Sequence, residues 1–172
     1  MKKMIILVLG IAFFYVQNSY SQRLKFVEHV VFEFGHNIKL HMIASLFDST
    51  KHNIQYCNAS DWSGVCLIDG APFLGTDWEM PKSVLKRAYI EINGKEIELE
   101  TFGMYNPWFV NTKKEFFSVE KWTESGWIVR GFFSDGAGSY VAEWKIINGA
   151  SIRTILSNDE YLIAKFYNEM SD

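Results

Sequence analysis

From Ile38 onward the chain alternates apolar and polar residues in short runs, and turn residues rather than helical stretches separate the runs. A period of two sends successive side chains to opposite faces, which marks half-buried strands. Between Arg87 and Glu100 the alternation is interrupted by Asn93-Gly94, and Asn-Gly is the strongest two-residue hairpin signal because both positions accept positive φ. A two-residue turn there sets Ile90 opposite Ile97 and Ala88 opposite Leu99, leaving Arg87, Tyr89, Glu91, Glu96, Glu98 and Glu100 on a wet face. Glu91 facing Glu96 is a small local cost, outweighed by the clean apolar face that a one-residue slip would mix.

Two further hairpins follow. Phe116 to Phe133 turns about Glu124-Ser125-Gly126, where a three-residue loop with Gly126 in the left-handed region pairs Trp122 with Ile128 and Glu120 with Arg130. A two-residue loop would set Lys121 against Arg130, so the longer loop is preferred. Tyr140 to Leu156 turns at Asn148-Gly149; a two-residue turn places Arg153 across from Trp144, a three-residue loop matches Ile146 with Ile152, and the pattern fits both.

Upstream, Leu24 to Phe34 and Ile38 to Leu46 read as strands around Gly35-His36-Asn37, although Leu24, Val27, Val31 and Phe34 also fall at helical spacing. Asp159 to Glu169 carries Leu162, Phe166 and Met170 at helical spacing behind Ser157-Asn158-Asp159, which predicts a short capped helix. Phe47 to Pro81 is rich in Asp, Asn, Ser, Gly and Trp; only Val65 to Ile68 and Pro72 to Leu74 read as extended there. With no internal repeat or low-complexity linker, the expected fold is mostly β: one antiparallel sandwich or open barrel built from hairpins, with a single C-terminal helix.

The N-terminus changes the setting. Lys2 and Lys3 precede a 13-residue apolar run, Met4 to Val16, and Ser19 and Ser21 supply the small residues of a cleavage site before Gln22. Residues 1–21 therefore read as a secretory signal peptide, leaving 22–172 as one domain. A membrane anchor fits less well, because such a run reaches only about 20 Å against a hydrocarbon core of about 30 Å. The expected location is the periplasm or the extracellular medium, with no membrane insertion after cleavage. In that compartment Cys57 and Cys66, the two cysteines of the chain, are expected to pair.

Composition narrows function mainly by exclusion. The chain of 172 residues is 48% apolar and 16% aromatic, with 17 basic and 20 acidic side chains. Without its leader it holds 15 basic and 20 acidic residues, a charge of −5. No basic stripe is available to neutralise phosphates, so nucleic acid is excluded as the expected partner. No nucleophile elbow, zinc-protease, phosphate-loop or C-x-x-C motif occurs, and the reading leans away from an enzyme. Gly136-Ala137-Gly138 is followed by a strand, which denies it the helix N-terminus that a nucleotide loop uses. His36 and His41 are five apart and make poor joint ligands; His29 and His52 read as solvated or internally satisfied. No cofactor or metal is expected.

What remains is a loop surface. Trp122, Trp127 and Trp144 fall on expected strands, whereas Trp62, Trp78 and Trp108 lie among loop residues where periodicity gives a large ring no place in a core. Asp77, Glu79 and Asp135 accompany them. These six residues are the expected binding site of a non-catalytic exported protein. Its expected partner is a protein, a basic one given the charge of −5, as for an inhibitor or immunity-type factor. The alternatives are a glycan-binding sandwich and a glycan hydrolase using carboxylates such as Asp77 and Asp135.

Overall fold

The computed structural model describes residues 27–59, 62–109 and 113–171; the expected signal peptide and the start of the Leu24 to Phe34 segment lie outside them. The described chain is mostly antiparallel β and ends in one short helix, as the hairpin pattern predicts. Strands β1 (Val27–Glu33), β2 (Ile38–Leu46), β5 (Ser83–Ile92) and β6 (Lys95–Leu99) form one sheet in the order β1-β2-β5-β6. Strands β7 (Phe117–Lys121), β8 (Gly126–Phe133), β9 (Tyr140–Ile147) and β10 (Ala150–Ser157) form a second, ordered β10-β9-β8-β7. Among the described residues, the intervening β3 (Ile54–Ala59) and β4 (Trp62–Ile68) pair with each other and with neither larger sheet.

The two larger sheets bury one core between them. Leu40, Met42, Ala88, Ile90 and Leu99 from the first join Val129, Ala142, Trp144 and Ile146 from the second. The layers are tied where Trp144 Nε1 of β9 donates to the carbonyl of Glu100, just past β6 (2.9 Å), and Ser151 Oγ of β10 donates to that of Glu98. Among the described strands, the sheets do not close into a barrel.

Turn chemistry sets most registers. Asn93 and Gly94 both have positive φ (52° and 78°), and Ile90 pairs with Ile97 and Ala88 with Leu99, as expected. Asn148 and Gly149 adopt the same geometry (52° and 78°), so the two-residue turn is the one formed and Arg153 faces Trp144. A bulge between Arg153 and Ile155 follows.

Three local expectations are corrected. The β7–β8 register is two residues off: Glu120 pairs with Ile128 and Lys121 with Trp127. Gly126 does not turn in the left-handed region but opens β8, where a Cβ would run into the Trp122 ring and the Thr123 hydroxyl. A slip of two keeps every side chain on its face, so Arg130 still reaches Glu120 (3.1 Å) while also binding Glu143 of β9 (2.9 Å). Trp122 consequently falls in the turn, 45% exposed, with Lys145 Nζ 5.5 Å above its ring.

Secondly, Trp62 belongs to β4 rather than to a loop; its side chain lies outside the described residues. The segment from Phe47 to Pro81 therefore contains a full hairpin, of which sequence patterning showed only the second strand. Pro72 to Leu74, in contrast, forms isolated bridges at its flanks and no strand. Thirdly, Tyr89 sits on the wet face yet is buried, stacked on His41 (4.4 Å between ring centroids) with the Arg87 guanidinium over its ring at 4.1 Å.

The terminal helix α1 (Glu160–Ser171) is capped by Asp159, whose Oδ1 accepts from Leu162 N (3.0 Å). It lays Phe166 against the outer face of the second sheet. This explains why β9 is buried on both faces and why Glu143 is buried beside Arg130.

Candidate functional site

Loops at one end of the sandwich converge on Gly75. Its φ is +105°, and a Cβ there would collide with the backbone carbonyl of Tyr105, so only glycine permits the approach. The Gly75 carbonyl accepts from Asn106 Nδ2 (2.9 Å), while Asn106 Oδ1 accepts from the backbone N–H groups of Lys82 (2.9 Å) and Ser83 (3.0 Å). The Tyr140 hydroxyl donates to the Tyr105 carbonyl (3.1 Å). Burial pushes that phenol well above its ordinary pKa, so it is a fixed donor. Gly138 approaches Gly75 closely as well, which brings the Ser134 to Ser139 loop onto the same junction.

Around this junction the structure gathers most of the expected site. Trp78 is 50% exposed and Trp108 49%. Both hold left-handed backbone, with φ of 63° and 51°. That conformation is uncommon for a bulky residue and persists only where surroundings enforce it. For Trp78 the enforcement is visible: its carbonyl accepts from Val65 N of β4 (2.8 Å), and Gly64 leaves the room its Cβ occupies.

Two clefts flank the Ser134 to Ser139 loop. One, of about 180 Å³, is lined by Asp77, Trp78, Thr76, Asn158 and the disulfide sulfur residue Cys66. The other, of about 310 Å³, is lined by Trp108, Asp135, Lys113 and Phe116. Each therefore joins one half-exposed indole to one exposed carboxylate. Asp77 and Asp135 line different clefts. Glu79 is exposed and lines neither cleft.

Cys57 and Cys66 are bonded, as expected, with Cα atoms 5.7 Å apart. The bond joins β3 to β4 beneath the Trp78 loop, across a bulge between Gln55 and Tyr56. Among the described residues, no group of three His, Cys, Asp or Glu side chains is arranged to hold a metal. No described helix is long and apolar enough to cross a membrane.

The organising residues are Gly75 and Asn106. Asn106 precedes Pro107, and Asn-Pro is a turn signal. Nothing in the local sequence, however, indicates that its amide bridges segments 23 to 31 residues away. The fold and site define a hairpin-built β protein with an aromatic and acidic loop end. Against protein-family models, curated proteins and solved structures, the chain matches none.

Proposed function

We propose that this is an exported, non-catalytic binding protein that captures a protein partner with the loop end carrying Trp78 and Trp108. The observation that carries the reading is the pair of half-exposed indoles on left-handed backbone, each beside a carboxylate. Aromatic residues of this kind dominate interface energetics when a partner desolvates them. A rigid sheet displaying such loops limits the ordering cost of binding. Asp77 and Asp135, with a net charge of −5 for residues 22–172, favour a partner with basic side chains, which can meet both the ring face and the carboxylate.

A glycan is the second reading, favoured by Thr76, whose Oγ1 is buried without a hydrogen-bond partner among the described residues and which lines the Trp78 cleft. A sugar hydroxyl would satisfy it while the ring packs on Trp78. The test uses the exported protein, whose N-terminal sequencing should begin near Gln22, as bait in its native envelope or medium. Salt-sensitive capture of a basic protein by the parent, lost in a Trp78→Ala/Trp108→Ala variant, is the expected result. Tryptophan quenching by oligosaccharides without protein capture would replace the first reading by the second.

A further inference from the structure

The outer face of the first sheet holds a cluster remote in sequence from the loop site. His29 of β1 pairs with Ile43, and His41 of β2 pairs with Val31, so the two histidines are diagonal neighbours on one face. His29 Nε2 and His41 Nδ1 lie 3.2 Å apart. That is an ordinary length for a hydrogen bond between two ring nitrogens, one donating and one accepting. It is also the separation of two imidazole donors on a single ion: bonds of about 2.0–2.1 Å at angles between square and tetrahedral place the nitrogens about 2.9–3.4 Å apart.

The surroundings suit that assignment. His41 is fixed by stacking on Tyr89 at an interplanar angle of 7°, so its donor nitrogen is pre-oriented. Its other nitrogen, Nε2, is buried, has no hydrogen-bond partner among the described residues, and lies 4.0 Å from Glu91 Oε2. A ligating histidine commonly turns its second N–H toward a carboxylate, which fixes the tautomer and raises the basicity of the ligating nitrogen. Nearby cations are already compensated: Lys39 lies 3.7 Å from Glu33, and Arg87 binds Glu96 (3.1 Å) and Glu98.

We infer that His29 and His41 form a two-imidazole site for a borderline divalent cation (Zn²⁺, Ni²⁺ or Cu²⁺), with Glu91 as the carboxylate behind His41. Imidazole selects these ions over Mg²⁺ and Ca²⁺. Only two donors come from the chain, so water completes the coordination. Binding ties the edge strand β1 to β2 and stabilises the folded state in proportion to the logarithm of metal concentration.

The test titrates the untagged protein with ZnCl₂, NiCl₂ and CuSO₄, with MgCl₂ as control. One equivalent of Zn²⁺ should shift the imidazole proton resonances of His29 and His41 together, leave those of His36 and His52 in place, and raise the melting temperature. His29→Gln, at an exposed position, should weaken binding at least tenfold without changing the metal-free melt. Glu91→Gln should weaken it about tenfold while retaining both donors. Zn²⁺ that leaves both resonances unmoved at millimolar concentration, or equal affinity in parent and His29→Gln, would overturn the site and leave a hydrogen-bonded histidine pair. If His41→Gln fails to fold, the resonance shifts in the parent and the His29→Gln titration still decide.

Discussion

At the scale of single residues, the most informative side chain is Trp78. It is half exposed, and melting and binding measured on one variant separate a contribution to binding from one to folding. Trp78→Ala is expected to weaken partner binding by about 2 kcal/mol or more, as aromatic anchors do, with little change in the unfolding midpoint. A melt far below the parent, on the order of 3 kcal/mol, would instead make the ring a packing residue. Asp69 sets an acid limit. Its Oδ2 meets His52 Nδ1 (2.7 Å) and its Oδ1 accepts from Asn53 N (2.8 Å). The His52 bond chiefly, and then the backbone N–H, hold the carboxyl below its ordinary value of 3.8. A carboxyl depressed in the folded state contributes stability that is full above the unfolded pKa and lost as pH falls through the folded one. The melting temperature should therefore drop as the pH falls below about 4, and Asp69→Asn should flatten that drop. An unchanged acid limb in the variant would assign the loss to other carboxylates.

At the scale of elements, the β3–β4 hairpin is the least supported piece. It pairs with neither larger sheet, and its small cluster of Val65, Ile68 and Tyr105 is separate from the main core. The Cys57–Cys66 bond, spanning nine positions in sequence, compensates by limiting the unfolded chain. Replacing both cysteines by serine should lower stability by roughly 2.5 to 3 kcal/mol. It should also raise amide exchange first in β3 and β4, including the Val65 N–H that binds the Trp78 carbonyl. Exchange that rises uniformly through β8 and β9 would contradict this order. The element-level consequence is that the disulfide supports the loop site, since the hairpin it closes positions one of the two indoles.

At the scale of the whole molecule, the two large sheets share one core, so neither can expose its inner face without the other. Heat or denaturant should unfold the domain in a single transition, with far-ultraviolet dichroism and fluorescence of the buried Trp144 changing together. Separate midpoints for the two signals would show that the sheets unfold independently. The helix adds to the same unit, because Phe166 covers the face of the sheet that buries Arg130 and Glu143.

Local chemistry made the larger part of the fold legible: Asn93-Gly94 and Asn148-Gly149 demand positive φ at both turn positions, alternation assigns faces, and Asp159 caps the helix. The Cys57–Cys66 pairing is likewise expected from the linear chain, and the bond is formed. Where local signals were weak, neighbours in space decided. β8 takes its register against β7 while paired along its whole length with β9, and Ile54 to Ala59 becomes a strand because Val65 to Ile68 supplies its partner. Tyr89 is buried on a polar face because His41 and Arg87 stack against it from other positions. The six expected site residues could be chosen as loop aromatics and acids. Only the tertiary structure separates Asp77 from Asp135 into two clefts, places Trp62 in a strand and makes Gly75 the meeting point of loops. The physical reason is range: turn propensity and side-chain alternation act over a few residues, whereas close approach, burial and side-chain bridging depend on segments that only folding brings together.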